Sequence, residues 1–275
     1  MTDKKNYLIP TADGTSTLFL EEYDQAMHSD SGAYEESLLK HIYPSGVLDL
    51  DADIINVLDV GFGLGYNTLA LIHEFKLKKK QSDLNIISLE KERHLIEFME
   101  KIKFNDERDD IYNFIKQVYR SGKGSIENIT LEILFGDGRN FLKKMERIKF
   151  DAVFQDPFSP SKNPEMWSVE YFACIKNLTA ETAILTTYSS ADQIRRAMLE
   201  AGLIIGSGPS VGRKREGTIA SKSGIIEPLN DERISNIMDN PRSEPYRDRG
   251  LSMKREEILS ERLDRIREGK KAVIR

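Results

Sequence analysis

The segment LDVGFGLGYN, residues 58–67, constrains the fold most strongly, because a short apolar strand leads directly into glycines and then into a helical sequence. Gly61, Gly63 and Gly65 allow a tight turn and let a ligand approach the amide groups of the loop. The helix that follows offers unpaired amide donors and a positive dipole end. A strand, a glycine loop and a helix in this order are typical of α/β proteins that bind nucleotide-type ligands.

Strand-like and helical segments alternate from residue 54 onward. Apolar runs such as IINVLDV, NIISLE and TAILTTY predict strands, and the spacing of apolar residues between them predicts helices. Repeated strand–helix units predict a Rossmann-like α/β fold with a mostly parallel, seven-stranded sheet and helices on both faces. We assign this domain to residues 51–223. Residues 1–50 are predicted to be an N-terminal extension, a hairpin and a helix that pack on it, and residues 224–275 a charged C-terminal extension.

The composition indicates a soluble, cytoplasmic protein. The chain has 275 residues, a formal net charge of −5 and no apolar run long enough to span a membrane. Cys174 is the only cysteine, and the histidines lack the spacing of metal ligands, so no metal site is expected. An acidic total does not favour a nucleic-acid-binding protein, although such binding depends on local basic patches.

Acidic residues end several of the predicted strands, namely Asp59, Glu90, Asp137 and Asp156. Ligands of open α/β sheets gather at the carboxyl ends of strands, so these residues are expected to share one site. A carboxylate at Asp59 suits an ammonium group, one at Glu90 can accept both ribose hydroxyls, and one at Asp137 can accept from an adenine amino group. S-adenosylmethionine (AdoMet) carries all of these groups, whereas the bulky Tyr66 at the last glycine position of the dinucleotide fingerprint argues against NAD. The predicted AdoMet contacts are Asp59, Gly61, Gly63, Gly65, Asn67, Glu90, Asp137 and Gly138.

The order of the motifs LDVGFGLGYN, SLEKE, FGDGRNF and FDAVFQDPF resembles that of class I AdoMet-dependent methyltransferases. More narrowly, FDAVFQDPFSPSKNPEMW, TTYSSADQIRRAMLEAG and VGRKREGTIAS resemble the MnmC methyltransferase family in its stand-alone form. With DGTSTL and YDQAMHSDSGAYEES near the N-terminus, the resemblance covers most of residues 11–223. The Asp-Pro-Phe loop is its most specific part.

This resemblance implies methylation of the amine of 5-aminomethyl(-2-thio)uridine at the wobble position of tRNA, which gives 5-methylaminomethyl(-2-thio)uridine. The implied macromolecular partner is tRNA. Bifunctional members of the family also carry a flavin-dependent oxidase domain. Since the 275 residues contain no second dinucleotide motif, no attached oxidase domain is expected.

The loop QDPFSPSKNPEMW, residues 155–167, is predicted to hold the methyl acceptor. Asp156 is expected to accept a hydrogen bond from the substrate amine and to stabilise the charge that grows on nitrogen, and whether it also takes the proton is open. Pro157 keeps Asp156 extended, because a residue before proline avoids the α region. His28 and Tyr34 are candidates for closing over AdoMet. The predicted substrate contacts, which would stack on the base, line its pocket or bind phosphate, are Phe158, Lys162, Trp167, Tyr188, Arg213 and Arg215.

Alternative functions remain open at this point. Aminopropyltransferases of the spermidine synthase type share the sheet and motifs similar to GDGRNFL and FDAVFQD. Their glycine loop usually carries an acidic residue after the glycines, where this chain has the apolar Phe62 and Leu64. The same fold also serves methyltransferases of small molecules, and a non-catalytic nucleotide- or tRNA-binding module is a further alternative.

Overall fold

A computed structural model describes residues 6–22, 24–28, 32–145, 148–211 and 216–273. The strands in these ranges are Tyr7–Pro10 (β1), Ser16–Leu20 (β2), Gln25–Ala26 (β3), Ile54–Val60 (β4), Asp83–Glu90 (β5), Lys123–Ile126 (β6), Ile129–Phe135 (β7), Phe150–Gln155 (β8), Thr179–Thr187 (β9), Ile204–Ser207 (β10) and Thr218–Ser221 (β11). The α-helices are Ala33–Ser37 (α1), Tyr43–Ser45 (α2), Tyr66–Leu77 (α3), Ile96–Met99 (α4), Arg108–Ser121 (α5), Gly138–Leu142 (α6), Val169–Leu178 (α7), Asp192–Glu200 (α8), Asp231–Asp239 (α9) and Arg255–Val273 (α10). A π-helical turn, Leu38–Ile42, joins α1 to α2, and short 3₁₀ turns lie at Val47–Asp49, Arg93–Leu95, Pro164–Met166 and Pro241–Ser243.

The central sheet has the strand order β10-β11-β9-β8-β4-β5-β7-β6. Its five middle strands, from β9 to β7, are parallel, and β6, β10 and β11 pair antiparallel at the edges. The predicted Rossmann-like α/β fold with a mostly parallel sheet is confirmed, with eight strands in the central sheet of the described part of the chain rather than seven. The additional strand is β6, which turns back onto β7 at Glu127, a residue with a left-handed φ of 52°.

The topology switches between β4 and β8. From β4 the chain proceeds outward to β5 and β7, and it then returns to the other side of β4 to form β8 and β9. Loops that leave the carboxyl ends of two such strands diverge and open a crevice. The register places Val60 beside Gln155, so the glycine loop and the Asp-Pro-Phe loop begin next to each other.

Apolar side chains cover both faces of the sheet. Val57 and Leu58, consecutive in β4, are both fully buried, but they belong to different apolar clusters. Because side chains alternate along a strand, Val57 packs on the side of α3 and α5, whereas Leu58 packs on the side of α7 and α8. This burial on both faces explains why β4 is a continuous apolar run.

Both terminal extensions pack on this domain. The strands β1, β2 and β3 form a small antiparallel sheet, and the Tyr66 hydroxyl of α3 donates to the carbonyl oxygen of Ser16 in β2 (2.7 Å). At the other end, three residues are buried in the apolar cluster that includes α7 and α8, namely Ile237 of α9, Tyr246 in the segment before α10, and Ile258 of α10. The segment predicted as a charged C-terminal extension therefore contributes to the core. None of the described helices is both long enough and apolar enough to cross a membrane.

Candidate active site

The glycine loop after β4 touches the loop after β8. Gly61 has a φ of 85°, and a Cβ at this position would lie 2.5 Å from the carbonyl oxygen of Asp156. A side chain at Gly61 would therefore push the two loops apart. The amide of Gly63, further along the loop, donates to Oε2 of Glu90 at the end of β5 (2.7 Å). Gly65 has a φ of 80° at the start of α3.

A cavity of 510 Å³ lies in this crevice, a volume in the usual range of small-molecule sites, roughly 300–1,000 Å³. Its wall combines the glycine loop, the ends of β5 and β7, the loop after β8 and the N-terminal segment around α1. The predicted site residues that line it are Gly61, Gly63, Asn67, Glu90, Asp137, Gly138, Asp156, Phe158 and Tyr188.

Glu90 is a buried carboxylate in the cavity wall, 8% exposed. Its Oε1 accepts amide hydrogen bonds from Lys91 (2.6 Å) and Glu92 (2.8 Å), and its Oε2 accepts the bond from Gly63. Burial raises the pKa of Glu90 to about 7, against the opposing effect of these amides. Since a carboxylate oxygen can accept about two hydrogen bonds, Oε2 keeps an acceptor site for a hydroxyl group.

Asp137 is held by an arginine that also reaches the C-terminal segment. The Arg139 guanidinium donates to both carboxylate oxygens of Asp137, and its Nη1 donates to Oδ2 of the fully buried Asp248 (2.6 Å). Burial opposes the ionisation of Asp137, but Arg139 outweighs it and holds the pKa of this carboxyl below its ordinary value. The adenine contact predicted for Asp137 therefore depends on a network that includes the C-terminal segment.

Asp59 does not lie where a direct ligand contact would need it. Its side chain is fully buried beneath the glycine loop and is not part of the cavity wall. It accepts hydrogen bonds from the hydroxyls of Thr68 in α3 (3.0 Å) and Ser88 in β5 (3.2 Å), and burial raises its pKa to about 6. Because Asp59 belongs to β4 itself and not to the loop beyond it, it joins α3 to the sheet instead of contacting an ammonium group.

Asp156, the first residue after β8, reaches the cavity with 21% of its side chain exposed. Its Oδ2 accepts from the Asn67 amide nitrogen (3.0 Å), and its Oδ1 lies 3.7 Å from Nε2 of His41. Burial opposes ionisation of Asp156, but His41, His28 and Asn67 outweigh burial and hold the pKa of this carboxyl below its ordinary value. The cavity therefore contains an anionic, oriented carboxylate beside the glycine loop.

The aromatic residues of the Asp-Pro-Phe loop divide between wall and core. Phe158 and Tyr188 line the cavity, and the Tyr188 hydroxyl donates to the carbonyl oxygen of Pro157 (3.0 Å). Trp167 is fully buried, outside the cavity wall, and its indole nitrogen donates to the carbonyl oxygen of Phe158 (2.9 Å). The predicted stacking of Trp167 on a base is therefore not possible in this conformation, because the residue packs under the loop and supports it.

The cationic residues predicted to contact the substrate either do not line the cavity or lie outside the residues that the structure describes. Lys162 is half-buried in the Asp-Pro-Phe loop but does not line the cavity. Arg213 and Arg215 lie outside the described residues. Among the residues that the structure does describe, no cluster of histidine, cysteine and acidic side chains could hold a metal ion.

The N-terminal segment contributes cavity residues that the sequence analysis did not assign to the site. Glu36, Lys40 and His41 line the cavity from α1 and the π-helical turn, and the Lys40 ammonium lies 3.2 Å from the Glu36 carboxylate. The only local signal was a pair of polar residues, Lys40 and His41, among the apolar positions of the segment GAYEESLLKHI. His28 also lines the cavity, as predicted, whereas the Tyr34 hydroxyl bonds to His73 instead (2.5 Å).

AdoMet fits this set of residues. The free acceptor site of Glu90 suits a ribose hydroxyl, and the glycine loop admits a ligand close to its backbone. Leu89 and Met166 line the cavity beside Gly138, where a Cβ would lie 3.0 Å from Met166 and 3.1 Å from Leu89. These apolar side chains, together with Asp137, could hold an adenine ring.

Comparison with known proteins also indicates that the site binds AdoMet. A family model described as S-adenosyl-L-methionine-dependent methyltransferase matches residues 103–223. The crystal structure of MnmC2 from Aquifex aeolicus is 33% identical in sequence, with a TM-score of 0.86, and the match covers 97% of this chain and 87% of that one.

Curated relatives match either nearly the whole of this chain or part of it. An uncharacterized protein of Methanocaldococcus jannaschii is 31% identical over 280 residues, which cover 99% of this chain and 76% of that protein. The tRNA 5-methylaminomethyl-2-thiouridine biosynthesis bifunctional protein MnmC of Campylobacter hominis is 36% identical over 166 residues, which cover 58% of this chain and 24% of that protein. The matched region is thus about a quarter of the bifunctional relative. The predicted cofactor and the predicted methyltransferase activity are confirmed, and the chain belongs to the MnmC-like family of AdoMet-dependent methyltransferases.

Proposed function

We propose that this methyltransferase acts on the primary amine of 5-aminomethyl(-2-thio)uridine at the wobble position of tRNA and forms 5-methylaminomethyl(-2-thio)uridine. The names of several relatives, which refer to tRNA 5-methylaminomethyl-2-thiouridine biosynthesis, support this substrate. The observation that carries the proposal is the anionic carboxylate of Asp156, which faces the cavity beside the glycine loop.

A cationic acceptor suits this carboxylate. An alkylammonium such as that of lysine has a pKa of about 10.4, so an aminomethyl group is largely cationic at neutral pH and is attracted to a nearby anion. The Asn67 amide orients Oδ2 of Asp156. As the amine nitrogen forms its new bond it gains positive charge, and a fixed carboxylate stabilises that charge in the transition state.

Positioning is the main task of the remaining residues. When bound, AdoMet supplies a methyl carbon on a sulfonium, and the electron pair of the breaking carbon–sulfur bond goes to sulfur. The contact of the Gly61 backbone with Asp156 holds the acceptor carboxylate at a fixed distance from the glycine loop. Fixed alignment of this kind accounts for much of the acceleration of a bimolecular transfer.

The aromatic wall suits a nucleobase taken out of its stack. Phe158 lines the cavity, and the bonds of Tyr188 and Trp167 to the backbone of the same loop hold it in place. A uracil ring extruded from an anticodon loop would stack on such a side chain. Because contacts to phosphate release counterions, the affinity for tRNA should fall steeply as the salt concentration rises, and methyl transfer at a fixed tRNA concentration should fall with it.

Mass spectrometry of nucleosides tests the proposal. Undermethylated tRNA that carries the aminomethyl group is incubated with the protein and AdoMet, digested and analysed for the mass increase of one methyl group on the modified uridine. We expect Asp156→Asn to slow this transfer by at least tenfold, about 1.4 kcal/mol of barrier, while AdoMet affinity measured by calorimetry stays within about twofold.

The matched control is Asp151→Asn. Asp151 lies on β8, the strand that leads into Asp156, but it accepts from the Asn56 backbone amide and is not part of the cavity wall. This variant should transfer methyl groups like the wild type. If the wild type methylates no tRNA uridine, the proposed substrate is wrong, and if Asp156→Asn is as active as Asp151→Asn, the proposed role of Asp156 is wrong.

A further inference from the structure

The acceptor nitrogen must lose a proton before it can attack. An alkylammonium has no lone pair, and only a small fraction of the amine is neutral at pH 7, so a group in the site that accepts the proton would speed the transfer. Asp156 already accepts the Asn67 amide through Oδ2, and as an ionised carboxylate its task is to hold the amine nitrogen. This leaves the question of which neighbouring group takes the proton.

The candidate with the right geometry is His41. Its Nε2 lies 3.7 Å from Oδ1 of Asp156, and the side chain lines the cavity although the residue is only 2% exposed. A nitrogen held about 2.9 Å from Oδ1 can at the same time lie about 2.9 Å from Nε2, which is hydrogen-bonding distance to both. An amine bound to Asp156 is therefore within direct reach of the imidazole.

The second ring nitrogen of His41 contacts Thr186. Nδ1 lies 2.9 Å from the hydroxyl oxygen of Thr186 in β9, and the Thr186 hydroxyl itself donates to the carbonyl oxygen of Val153 (3.4 Å). When the hydroxyl hydrogen is used in that bond, the Thr186 oxygen accepts from Nδ1–H. In neutral His41 the lone pair is then on Nε2, the atom that faces Asp156.

The backbone and the packing hold the ring in this orientation. His41 lies in the π-helical turn Leu38–Ile42, and such turns often occur at functional sites. The ring packs against Phe154 of β8, with centroids 5.7 Å apart. The consecutive residues Lys40 and His41 both line the cavity.

The titratable groups around His41 come from β4, the loop after β8 and the N-terminal segment. Asp156 faces it from the loop after β8, the buried Asp59 lies beneath it in β4, and His28 approaches the same carboxylate from the N-terminal segment. On its own helix, the Glu36–Lys40 ion pair is about as deeply buried as His41. Asp59 and Asp156 are thus the acidic groups that interact with the imidazole.

We propose that His41 accepts the proton of the acceptor ammonium through Nε2, while Asp156 remains ionised and holds the nitrogen. This inference rests on the proposed amine substrate. The ammonium N–H bond breaks, its electron pair stays on nitrogen as the lone pair that attacks the methyl carbon, and the proton forms the Nε2–H bond. After transfer the product leaves as a secondary ammonium, and His41 returns its proton to solvent.

The test is the pH profile of single-turnover methyl transfer to undermethylated tRNA, for the wild type and for His41→Gln. We expect His41→Gln to be slower by about a hundredfold at pH 7, which is the lower end of the usual range for a general base. The deficit should shrink to a few-fold or less near pH 10, where the amine loses its proton without help. AdoMet affinity, measured by calorimetry, should be unchanged within about twofold.

The matched control is His94→Gln. The His94 side chain is 43% exposed beside Glu92 and does not line the cavity, so this variant should keep the wild-type profile. A deficit of His41→Gln that is equal at all pH values would show a structural role only and would overturn the proposal. If the wild type transfers no methyl group at any pH, the substrate proposal itself fails; if the wild type is active and His41→Gln matches it throughout, only the role of His41 fails.

A measurement on the wild type covers the case in which the variant does not fold. Nitrogen-15 NMR of histidine-labelled protein reports which ring nitrogen carries the hydrogen in the neutral form. We expect the Nδ1–H tautomer for His41. A neutral Nε2–H tautomer would place the lone pair away from Asp156 and would overturn the proposal.

Discussion

Glu90 allows a prediction that separates the stability of the protein from its function. Burial raises the pKa of this carboxyl from an ordinary value of 4.5 to about 7. A raised pKa in the folded state means that the folded protein binds the proton more tightly than the unfolded chain does. The stability that this group contributes is therefore fully present below pH 4.5 and is lost as the pH rises through 7, a change of about 3 kcal/mol.

Glu90→Gln removes this titration. The glutamine oxygen can keep the bonds from the Lys91 and Glu92 amides, but its NH₂ group then faces the Gly63 amide and loses that bond, at a cost of about 1–2 kcal/mol. We expect the variant to be less stable than the wild type near pH 4.5. Near pH 8.5 it should be more stable by about 1 kcal/mol, because only the wild type then carries a buried charge.

Urea denaturation of the ligand-free protein between pH 4.5 and 8.5 measures this difference. The control is Glu97→Gln, a substitution of an exposed residue on α4, which should follow the wild-type curve. If the curves of Glu90→Gln and the wild type are parallel over the whole range, Glu90 does not titrate in the folded protein and the reasoning is refuted.

The same variant should bind AdoMet less tightly. A hydrogen bond to an ionised group contributes about 1.5–3 kcal/mol, so loss of the carboxylate should weaken AdoMet by about tenfold or more in calorimetry at pH 8.5. For the wild type, the affinity for AdoMet should fall as the pH drops below 7, because Glu90 becomes protonated. The affinity of Glu90→Gln should not change over this pH range, because the glutamine side chain does not titrate. A variant that gains stability and loses affinity would show that the carboxylate is retained for the ligand and not for the fold.

Two further substitutions test the supports of the site. Asp248→Asn should lower the free energy of unfolding by about 3 kcal/mol, because the buried Arg139 loses an ionic partner. Because Arg139 also holds Asp137, this variant should bind AdoMet less tightly in calorimetry. The control Asp264→Asn, a change of an exposed residue on α10, should alter neither the stability nor the affinity. Gly61→Ala should slow methyl transfer and destabilise the protein in urea denaturation by about 1–3 kcal/mol more than Gly14→Ala does. Gly14 has a similar φ of 79° but open space around its Cβ position, so equal losses in the two variants would argue against the close contact of Gly61 with Asp156.

The connection of Arg139 to Asp248 gives the C-terminal segment a role in the site. Asp248 also accepts amide hydrogen bonds from Ser252 and Met253, which fix the turn before α10. Arg247 forms ion pairs with Glu170 of α7 and Glu200 of α8. Several of the charges that made this segment look like a solvated extension are thus paired with the catalytic domain.

Local sequence was sufficient for the main elements of the fold. The apolar run of β4 and the glycines after it predicted both the strand Ile54–Val60 and the loop that starts α3, since hydrophobic period and backbone freedom are properties of neighbouring residues. The sequence of the Asp-Pro-Phe loop was also sufficient to predict the methyltransferase family, because it resembles the corresponding motif of that family. Asp156 could be singled out because a strand end, an acid and a proline occur together.

Long-range packing decided which of the predicted residues reach the ligand. Asp59 and Asp156 both stand near the ends of parallel strands, but Asp59 belongs to β4 and is buried, whereas Asp156 is the first residue beyond β8 and lines the cavity. A difference of one or two positions relative to the strand end changes the environment of a carboxylate completely, and no local pattern determines it. The same holds for the contact of His41 with Thr186, 145 residues away, and for that of Arg139 with Asp248, 109 residues away. Such pairs form only when the sheet brings distant segments to one edge, because a side chain's hydrogen-bond partners depend on the whole topology and not on its neighbours in the chain.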